Sequence, residues 1–477
     1  MKRTVSRRDF LTATGCTAAG LFAGCASGAP DSGSAKKPNV VFVFADQWRA
    51  QACGYAGDPN LRGRTPNLDR LASESANFTH AVSCCPVCTP YRASLLTGQY
   101  PLTHGLFLND VCLSNRATSM AQAFVQAGYD TAYIGKWHVD GHGRSAYIPP
   151  ERRQGFDYWK VLECTHDYNR SPYYADGDST SRLWDGYDVE AQTRDAQAYL
   201  SAHARTAKPF LLVLSWGPPH NPYGTAPERY RRLFDAAQLT LRPNVEGDPR
   251  KDLAGYYAHI AAMDDCLGAL LKTLDETGLR DDTIVVFTSD HGDMLGSHGQ
   301  IRKQKPWDES IRVPLLVRAP AAQKPGRVLD APINTPDLMP TLLGLCGVPI
   351  PSTVEGEDCS GWIRDAPPSD RVALIACYTP FGEWTRERGG REYRGVRTSR
   401  HTYVRDLSGP WLLFDNARDP YQQTNLVGRA ECAALQAQLE RELTRLLEKT
   451  GDDFLPGSAY IAKWGYEVDK TGTAPVR

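Results

Sequence analysis

Five short, mainly apolar runs in the first two thirds of the chain most limit what it can fold into. Near-continuous apolar runs of this length are typical of strands buried on both faces of a sheet. The stretches between them have helical periodicity, which favours an α/β fold with a mostly parallel central sheet flanked by helices. The runs are NVVFVFAD (39–46), TAYIG (131–135), PFLLVLSW (209–216), TIVVFTSD (283–290) and VPLLVR (313–318).

Polar side chains follow the first four of these runs. In an open α/β sheet the ligand crevice lies at the carboxyl ends of the strands, so these side chains are predicted to meet at one edge. A single such residue would more often be a helix cap or a turn former, but here four strands deliver them together. The residues are Asp46 and Gln47, Lys136 and His138, His220, and Asp290 and His291.

The sequence changes character near residue 350. A proline-rich passage at 366–370 precedes short runs typical of a small antiparallel meander, and an amphipathic helical pattern follows at about 430–448. A chain of 477 residues is longer than most single domains. We therefore predict a main domain over residues 31–350 and a smaller C-terminal α+β subdomain with an antiparallel sheet over 351–477, in which the residues after about 452 wrap as an extended tail.

Residues 1–30 have the composition of an export signal, with a charged start, a short apolar run and then small residues. The segment SRRDFL, with Arg7 and Arg8, resembles a twin-arginine signal, which exports folded proteins. The segment LFAGC ending at Cys25 resembles a lipoprotein box, and cleavage near Ala29 is the alternative. We expect an exported bacterial protein, either periplasmic or anchored to the outer membrane as a lipoprotein.

The charge balance argues against a nucleic-acid partner. The chain has 54 basic and 55 acidic residues and a formal net charge of −1. Neither sign is in surplus, so no bulk attraction to a polyanion or to a membrane surface is expected. Beyond the first 30 residues, no apolar segment is long enough to predict a membrane span.

Cys85 and Cys88 form a C-x-x-C within a chain of 13 cysteines. A structural zinc site needs about four ligands, and the sequence has no second C-x-x-C to supply them. A redox pair would open a helix, and helical sequence does follow at YRASLLTG (91–98), so local structure alone does not exclude it. A buried thiol without a chemical role is the third interpretation.

The residues after Cys88 are more specific than the cysteine spacing. The run CTPYR (88–92) followed by LTG (96–98) resembles the sulfatase signature, in which the cysteine is oxidised to formylglycine. The resemblance extends over most of residues 38–425, including PNVVFVFADQ, TAYIGKWH and TSDHGDMLGSHG. The chain is therefore similar to the formylglycine-dependent type I sulfatases of the alkaline phosphatase superfamily, which implies that superfamily's sheet and a catalytic domain over 31–350.

The resemblance implies that a formylglycine-generating maturation enzyme modifies Cys88. In the family this happens on the unfolded chain, so a protein exported folded must be modified in the cytoplasm first. A thiol would hold a sulfuryl group with no easy release. A hydrated aldehyde has two hydroxyls, of which one attacks and the other, once deprotonated, collapses to the aldehyde and expels sulfate.

The resemblance also implies one divalent metal ion. Its ligands would be Asp46, Gln47, Asp290, His291 and the modified Cys88. Many relatives carry a second aspartate in place of Gln47 and an asparagine in place of His291. Ca²⁺ is the first candidate, with Mn²⁺ or Mg²⁺ as alternatives, since calcium prefers oxygen ligands and imidazole suits manganese. Asp293 and His298 are expected to shape the loop rather than bind the ion.

The resemblance to the sulfatases also assigns the other catalytic roles, residue by residue. Sulfate esters spread negative charge over their oxygens, so catalysis needs cations in a dry pocket. Arg92 and Lys136 would hold the modified residue, and His138 would be the general base. Lys303 would bind the sulfate group. His220 would protonate or bind the leaving oxygen, and Asn109 is a further candidate contact. For each, a surface cation or a loop residue without a catalytic role is the alternative.

We therefore expect a sulfuric ester hydrolase acting on a small or carbohydrate sulfate. Aromatic residues and arginines in two segments, 163–187 and 378–395, are candidates for lining a sugar-sized pocket, against the alternative of ordinary insertion loops. A phosphonate monoester or phosphodiester hydrolase of the same superfamily is the second hypothesis, because the pairing of Gln47 and His291 resembles theirs. A lipid-anchored binder of sulfated glycan that never matures its cysteine is the third. The arginines are Arg386, Arg388, Arg391 and Arg394.

Overall fold

A ten-stranded sheet lies at the centre of the protein in the computed structural model, which describes residues 36–321 and 324–475. The strands of this sheet and of two smaller ones are, in chain order, β1 Asn39–Asp46, β2 Ala76–Phe78, β3 Ala81–Val82, β4 Asp130–Lys136, β5 Tyr158–Leu162, β6 Pro172–Ala175, β7 Asp178–Leu183, β8 Phe210–Pro219, β9 Thr283–Ser289, β10 Arg312–Val313, β11 Leu315–Arg318, β12 Val328–Leu329, β13 Ile333–Asn334, β14 Ala373–Cys377, β15 Tyr393–Arg397, β16 His401–Asp406 and β17 Gly409–Asp415.

The middle of the large sheet is parallel, as the sequence predicts. Its strand order is β12-β2-β11-β9-β1-β8-β4-β5-β6-β7. The five strands from β9 to β5 pair in parallel with their neighbours. β11 pairs antiparallel with β9, and β6 and β7 extend the other edge as antiparallel strands. The segment 163–187 therefore contributes two strands to the sheet, in addition to loops.

The first strand shows why its sequence lacks a polar face. All eight residues of β1 are buried. Val40, Phe42 and Phe44 point into one core, and Val41 and Val43 point into the core on the opposite face of the sheet. Successive side chains of a strand point to opposite faces, so a strand covered on both sides needs apolar residues at every position.

The described residues form twelve α-helices. One of them, the helix that begins at Cys88, is buried at all ten positions and lies inside the protein. The helices are α1 Pro66–Glu74, α2 Cys88–Thr97, α3 Pro101–His104, α4 Met120–Gln126, α5 Asp188–His203, α6 Glu228–Arg231, α7 Arg250–Glu276, α8 Asp308–Ile311, α9 Leu338–Cys346, α10 Ser360–Arg364, α11 Ala433–Lys449 and α12 Gly457–Trp464.

A small antiparallel sheet follows in the C-terminal part, as predicted. Its order is β14-β15-β16-β17, and α11 packs on β15 and β16. From Lys37 onward the chain forms one compact unit, so the division into 31–350 and 351–477 stays a prediction. The predicted export signal and Cys25 lie outside the described residues. Among the helices described, none combines the length and apolar character required to cross a bilayer.

The prediction of an extended C-terminal tail is wrong in part, because α12 forms within it. Tyr460 on this helix is buried, and its ring centroid lies 6.1 Å from those of both Phe107 and Tyr378. Pro456 precedes the helix and Gly465 ends it with a φ of +67°. A proline before a helix and a left-handed glycine after it are the usual boundary signals, so the sequence did carry this information.

Candidate active site around Cys88

The carboxyl ends of four neighbouring parallel strands bring the predicted residues together. Asp46 ends β1 and Lys136 ends β4, while His220 and Asp290 come directly after β8 and β9. Cys88 is the first residue of α2, whose amino end carries partial positive charge. Each of these side chains is at most 6% exposed. The predicted crevice is therefore a buried, highly charged cluster.

Cys88 lies at the centre of this cluster. Its Sγ is 3.1 Å from Lys303 Nζ, 3.3 Å from His291 Nε2 and 3.6 Å from an Asp46 carboxylate oxygen. Burial and Asp46 oppose ionisation of the thiol, but Lys136, Lys303 and His291 hold the pKa of Cys88 well below its ordinary value. Position 88 is thus a place where negative charge is stabilised.

Four potential ligand atoms, one each from Asp46, Cys88, Asp290 and His291, lie within 4.8 Å of one another. His291 Nε2 is 3.6 Å from an oxygen of each aspartate, and its Nδ1 lies 2.9 Å from the Gly292 carbonyl oxygen. An Nδ1–H bond to that carbonyl leaves the Nε2 lone pair facing the carboxylates, which is how metal-bound histidines are commonly held. The donor set suits a divalent cation.

Gln47 completes this group. Its Nε2 is 2.7 Å from Asp293 Oδ2 and 3.3 Å from the Tyr223 hydroxyl, so the amide nitrogen is anchored. Its Oε1 is buried and has no hydrogen-bond partner within the described ranges. An unpaired buried carbonyl costs about 1–3 kcal/mol, which a metal ion would offset. Burial and Asp46 also raise the pKa of Asp290 to about 7, a further sign that a cation fits here.

Two fully buried cations bind the same carboxylate. Lys136 Nζ donates to Asp46 Oδ2 at 2.7 Å, and Arg92 Nη2 is 3.1 Å from that oxygen and 3.4 Å from Asp290 Oδ2. Arg92 Nη1 donates to Ser215 Oγ at 2.7 Å and to the Lys136 carbonyl oxygen at 2.8 Å. Arg92 is therefore held rigidly between the strands, next to the metal-binding group.

Lys303 and His220 form a hydrogen-bonded pair beside position 88. Lys303 Nζ is 3.0 Å from His220 Nε2, and His220 Nδ1 is 2.8 Å from the Asn221 carbonyl oxygen. Burial and Lys303 hold the pKa of His220 well below its usual value. Nδ1 therefore donates to the carbonyl, Nε2 accepts from Lys303, and the mobile proton of the pair lies on the lysine. His166 stacks on His220 with ring centroids 4.7 Å apart.

His138 follows β4 and has a φ of +60°, a left-handed conformation that is unusual for histidine. Its Nε2 is 3.3 Å from Asp110 Oδ1, and Arg144 binds both oxygens of Asp110, at 2.9 and 2.7 Å. Its Nδ1 is buried and lacks a hydrogen-bond partner among the residues described. Burial opposes protonation, but Cys164, Asp110 and Cys88 raise the pKa of His138 to about 10.

Asn109 reaches the cluster through the backbone of α2. Its Oδ1 accepts from the Thr89 amide at 3.1 Å, which caps the amino end of the helix. Thr89 Oγ1 donates to the His138 carbonyl oxygen at 2.8 Å, so the start of α2 and the histidine segment are joined. Any contact of Asn109 with a substrate would use its Nδ2, because Oδ1 is already used.

Several neighbouring candidates have structural roles instead. Lys305 donates to the Ile301 carbonyl oxygen at 2.7 Å, so Lys303 is the lysine that contacts Cys88. Asp293 accepts from Gln47 and from the Arg302 amide at 2.9 Å, and so shapes the loop, as expected. Cys85 and Cys88 are both free thiols. Three of the four arginines in 378–395 pair with carboxylates: Arg386 with Glu392, Arg391 with Asp406, and Arg394 with Asp452.

Two residues that support the predicted ones were not predicted from the sequence. Ser215 binds Arg92 and Asp110 binds His138. Asp110 lies next to Asn109 in the sequence, which is a weak signal, and Ser215 lies inside an apolar strand where nothing marks it. His166 lies in the segment 163–187, which the sequence analysis did consider for the pocket wall.

Comparisons with known proteins identify the family of the chain. The family model described as Sulfatase matches residues 38–348, and the one described as N-sulphoglucosamine sulphohydrolase, C-terminal, matches residues 296–449. The chain is 49% identical to an ulvan-active sulfatase of Formosa agariphila, over 92% of this chain and 86% of that protein.

Solved structures are similar over most of the chain. A Bacteroides thetaiotaomicron structure from work on glycosaminoglycan metabolism has a TM-score of 0.79 at 30% identity, and the match covers 90% of this chain and 99% of that one. A phosphonate monoester hydrolase of Silicibacter pomeroyi has a TM-score of 0.72 at 26% identity, covering 88% and 97%. With the buried cation cluster around Cys88, these matches show that the chain belongs to the sulfatase family of the alkaline phosphatase superfamily and is an enzyme that hydrolyses sulfate esters.

Proposed function

We propose that this sulfatase removes sulfate from a carbohydrate sulfate ester, with formylglycine made from Cys88 and one divalent metal ion, Ca²⁺ first. The observation that carries the proposal is the arrangement of cations around position 88. Lys303 contacts Cys88 directly, and Lys136 and Arg92 share the adjacent Asp46 carboxylate. A sulfated polysaccharide is the favoured substrate class because the ulvan-active relative is 49% identical over most of the chain.

The ion would be held by the oxygens of Asp46, Gln47 and Asp290 and by His291 Nε2. When bound, it would neutralise the two carboxylates and draw electron density from a sulfate oxygen. Three buried cations, Arg92, Lys136 and Lys303, already face two carboxylates. This surplus of positive charge from the side chains, to which a bound ion would add, favours an anionic substrate group in a site that excludes water.

Formylglycine would supply a hydroxyl for attack on sulfur and a second hydroxyl whose deprotonation releases sulfate. His138 is the base proposed for that second step, since its Nδ1 is free and Asp110 holds its Nε2. In the unmodified chain the raised pKa of His138 keeps the ring protonated at neutral pH. Conversion of Cys88 removes one of the groups that raise it, so maturation favours the basic form.

Lys303 and His220 would handle the leaving group. The proton shared along the contact at 3.0 Å is available to the leaving oxygen, either directly from Lys303 or through His220 Nε2. The stack with His166 and the bond to the Asn221 carbonyl oxygen fix the plane of the imidazole. A fixed donor avoids reorganisation when charge develops on the leaving oxygen.

The experiment that tests the proposal uses protein produced with a maturation enzyme. We expect the tryptic peptide ending at Arg92 to have the mass of an aldehyde in place of the Cys88 side chain. Cys88→Ala should lower kcat on a sulfated oligosaccharide by at least about 10⁴-fold, as loss of a nucleophile does. Cys85→Ala is the matched control, since Cys85 is equally buried but outside the site, and it should retain activity. Full activity of Cys88→Ala would refute the proposed nucleophile.

A phosphonate monoester or phosphodiester hydrolase is the alternative, favoured by the Gln47 and His291 ligand pair and by the similarity to the Silicibacter enzyme. A panel of an ulvan oligosaccharide, an aryl sulfate, an aryl phosphonate and a phosphodiester separates the two. Higher kcat/KM on a sulfate supports the sulfatase proposal. Higher kcat/KM on the phosphonate would replace it with the alternative.

We also propose export through the twin-arginine signal and a lipid anchor at Cys25, on the sequence pattern of residues 1–30. Replacement of Arg7 and Arg8 by lysine should keep the protein in the cytoplasm. Cys25→Ser should release it from the membrane fraction. Membrane attachment that survives Cys25→Ser would exclude the anchor.

A further inference from the structure

A second group of metal-binding side chains lies outside the cluster around Cys88. Cys112, Asp140 and His142 each offer one ligand atom, and these atoms lie within 4.8 Å of one another. Asp140 is buried, while Cys112 and His142 are exposed, so a dissolved ion can reach the group. None of the three belongs to the residues that the proposed reaction uses.

The fold brings two segments together to make this group. Cys112 lies on the segment that follows Asn109, and His142 lies on the segment that follows β4. Gly141 has a φ of +64°, and a Cβ there would lie 2.6 Å from the Cys112 amide nitrogen and from the Val111 carbonyl carbon. A glycine is therefore required both for the left-handed backbone and for the close approach. This approach puts the thiol beside the aspartate and the histidine.

The imidazole of His142 and the side chain of Asp140 are in direct contact. His142 Nδ1 is 2.6 Å from the Asp140 carbonyl oxygen and 3.3 Å from Asp140 Oδ2, so this ring nitrogen faces the aspartate. Arg152 binds the Asp140 carboxylate at 2.7 and 3.2 Å, and Glu163 accepts from the Asp140 and Gly141 amides at 2.9 Å. An ionised carboxylate has about four lone-pair positions, so capacity for an ion remains.

Cys112 is the exposed cysteine among those in the described ranges, where the others are buried or half-buried. Its Sγ has one weak contact, 3.7 Å from the Leu113 carbonyl oxygen. Sulfur and imidazole ligands favour zinc over calcium and magnesium, which prefer oxygen. The donor chemistry of this group therefore differs from that of the group around Asp46 and Asp290.

We propose that Cys112, Asp140 and His142 form a second metal site that takes Zn²⁺, with a water molecule in the fourth position. Three protein ligands and one open position make a four-coordinate zinc site. Asp110 lies two residues before Cys112, and His138 lies two residues before Asp140. A bound ion would thus tie together the two segments that meet at the contact of 3.3 Å between Asp110 and His138.

The test uses the full chain carrying Cys88→Ala, saturated with Ca²⁺, so that position 88 offers no thiolate and the oxygen-rich site is filled. Titration with Co²⁺ should then produce a thiolate-to-cobalt charge-transfer band, and calorimetry with Zn²⁺ should give one additional equivalent. Cys112→Ser should abolish the band. His142→Ala should weaken Zn²⁺ affinity at least about tenfold. Cys432→Ser, at a half-buried thiol elsewhere, is the matched control and should change nothing.

Hydrogen exchange gives a second measurement. Zn²⁺ should slow amide exchange in residues 110–113 and 138–142 of the parent and leave it unchanged in Cys112→Ser. Because Cys112 is exposed, its serine variant should melt at the parent temperature, which shows that any loss is not unfolding. Absence of the charge-transfer band in the parent, or its persistence in Cys112→Ser, would overturn the proposal.

Discussion

Two buried arginines in this protein, Arg394 in the small sheet and Arg92 beside Cys88, are at most 1% exposed, yet their surroundings differ. Arg394 donates from Nε and Nη2 to the two oxygens of the Asp452 carboxylate, with the Nη2 contact at 3.2 Å. It also donates to the carbonyl oxygens of Cys377 and Tyr393, each at 2.9 Å. Every side of this cation therefore has a partner.

The carboxylates that the two arginines contact, Asp452 and Asp46, also have different partners. Asp452 accepts additional bonds from the Tyr460 hydroxyl at 2.5 Å and the Phe454 amide at 2.9 Å, which fills its capacity. Asp46, in contrast, is shared by Arg92 and Lys136, and the neighbouring Gln47 Oε1 lacks a partner among the described residues.

A buried ion-pair network in which every polar atom has a hydrogen-bond partner stabilises the fold. A network with unpaired polar atoms costs stability and can bind a ligand. Buried charge alone does not distinguish the two. What differs between them is that Arg92 Nε and the neighbouring Gln47 Oε1 lack hydrogen-bond partners among the described residues, whereas every guanidinium nitrogen of Arg394 has one.

The largest effect is expected at the pair of Arg394 and Asp452. Asp452→Asn leaves the Arg394 cation buried without its counter-charge, and we expect a loss of about 3–5 kcal/mol in the free energy of unfolding, measured in urea. The kcat of the folded enzyme should stay unchanged. The double variant Arg394→Met/Asp452→Leu is the control and should recover most of the loss. A fall in kcat without destabilisation would mean that this pair serves catalysis rather than stability.

A substitution of Arg92, beside Asp46, should affect activity. Arg92→Lys keeps the charge but loses the paired contacts with Asp46 and Asp290, and we expect kcat/KM to fall by about 10²–10³-fold. The melting temperature should change little. An activity loss accompanied by an equally large loss of stability would mean that Arg92, like Arg394, is mainly structural.

The smallest effect is expected from Asp110→Asn, which tests whether the pair with His138 is functional. Removing the carboxylate should lower the pKa of His138, since Asp110 helps to raise it. A base acts when unprotonated, so the rate of sulfate release rises with pH through its pKa, and the acid limb of kcat should move to lower pH. The maximum should fall about tenfold, less than loss of the base itself. An unmoved limb would mean that Asp110 does not act on His138.

The sequence predicted the central strands well because each is buried on both faces and must be apolar throughout. The apolar run 39–46 and β1 coincide, and the run 283–290 differs from β9 by one residue. The antiparallel strands β6 and β7 were not predicted, because edge strands with exposed residues, such as SRL in β7, have no such pattern. The helix α12 was missed although its boundary residues marked it.

The sequence by itself determined the central parallel strands, the order of polar residues along them and the signature around Cys88, because these depend on local composition and spacing. Only the tertiary structure decided how closely Lys303 approaches Cys88, which direction the Gln47 amide faces and which carboxylates pair with three of the arginines of 378–395. These choices depend on atoms from segments far apart in the sequence. Lys303 and Cys88 are 215 residues apart but 3.1 Å from each other, and hydrogen bonds at that range are fixed by packing rather than by sequence pattern.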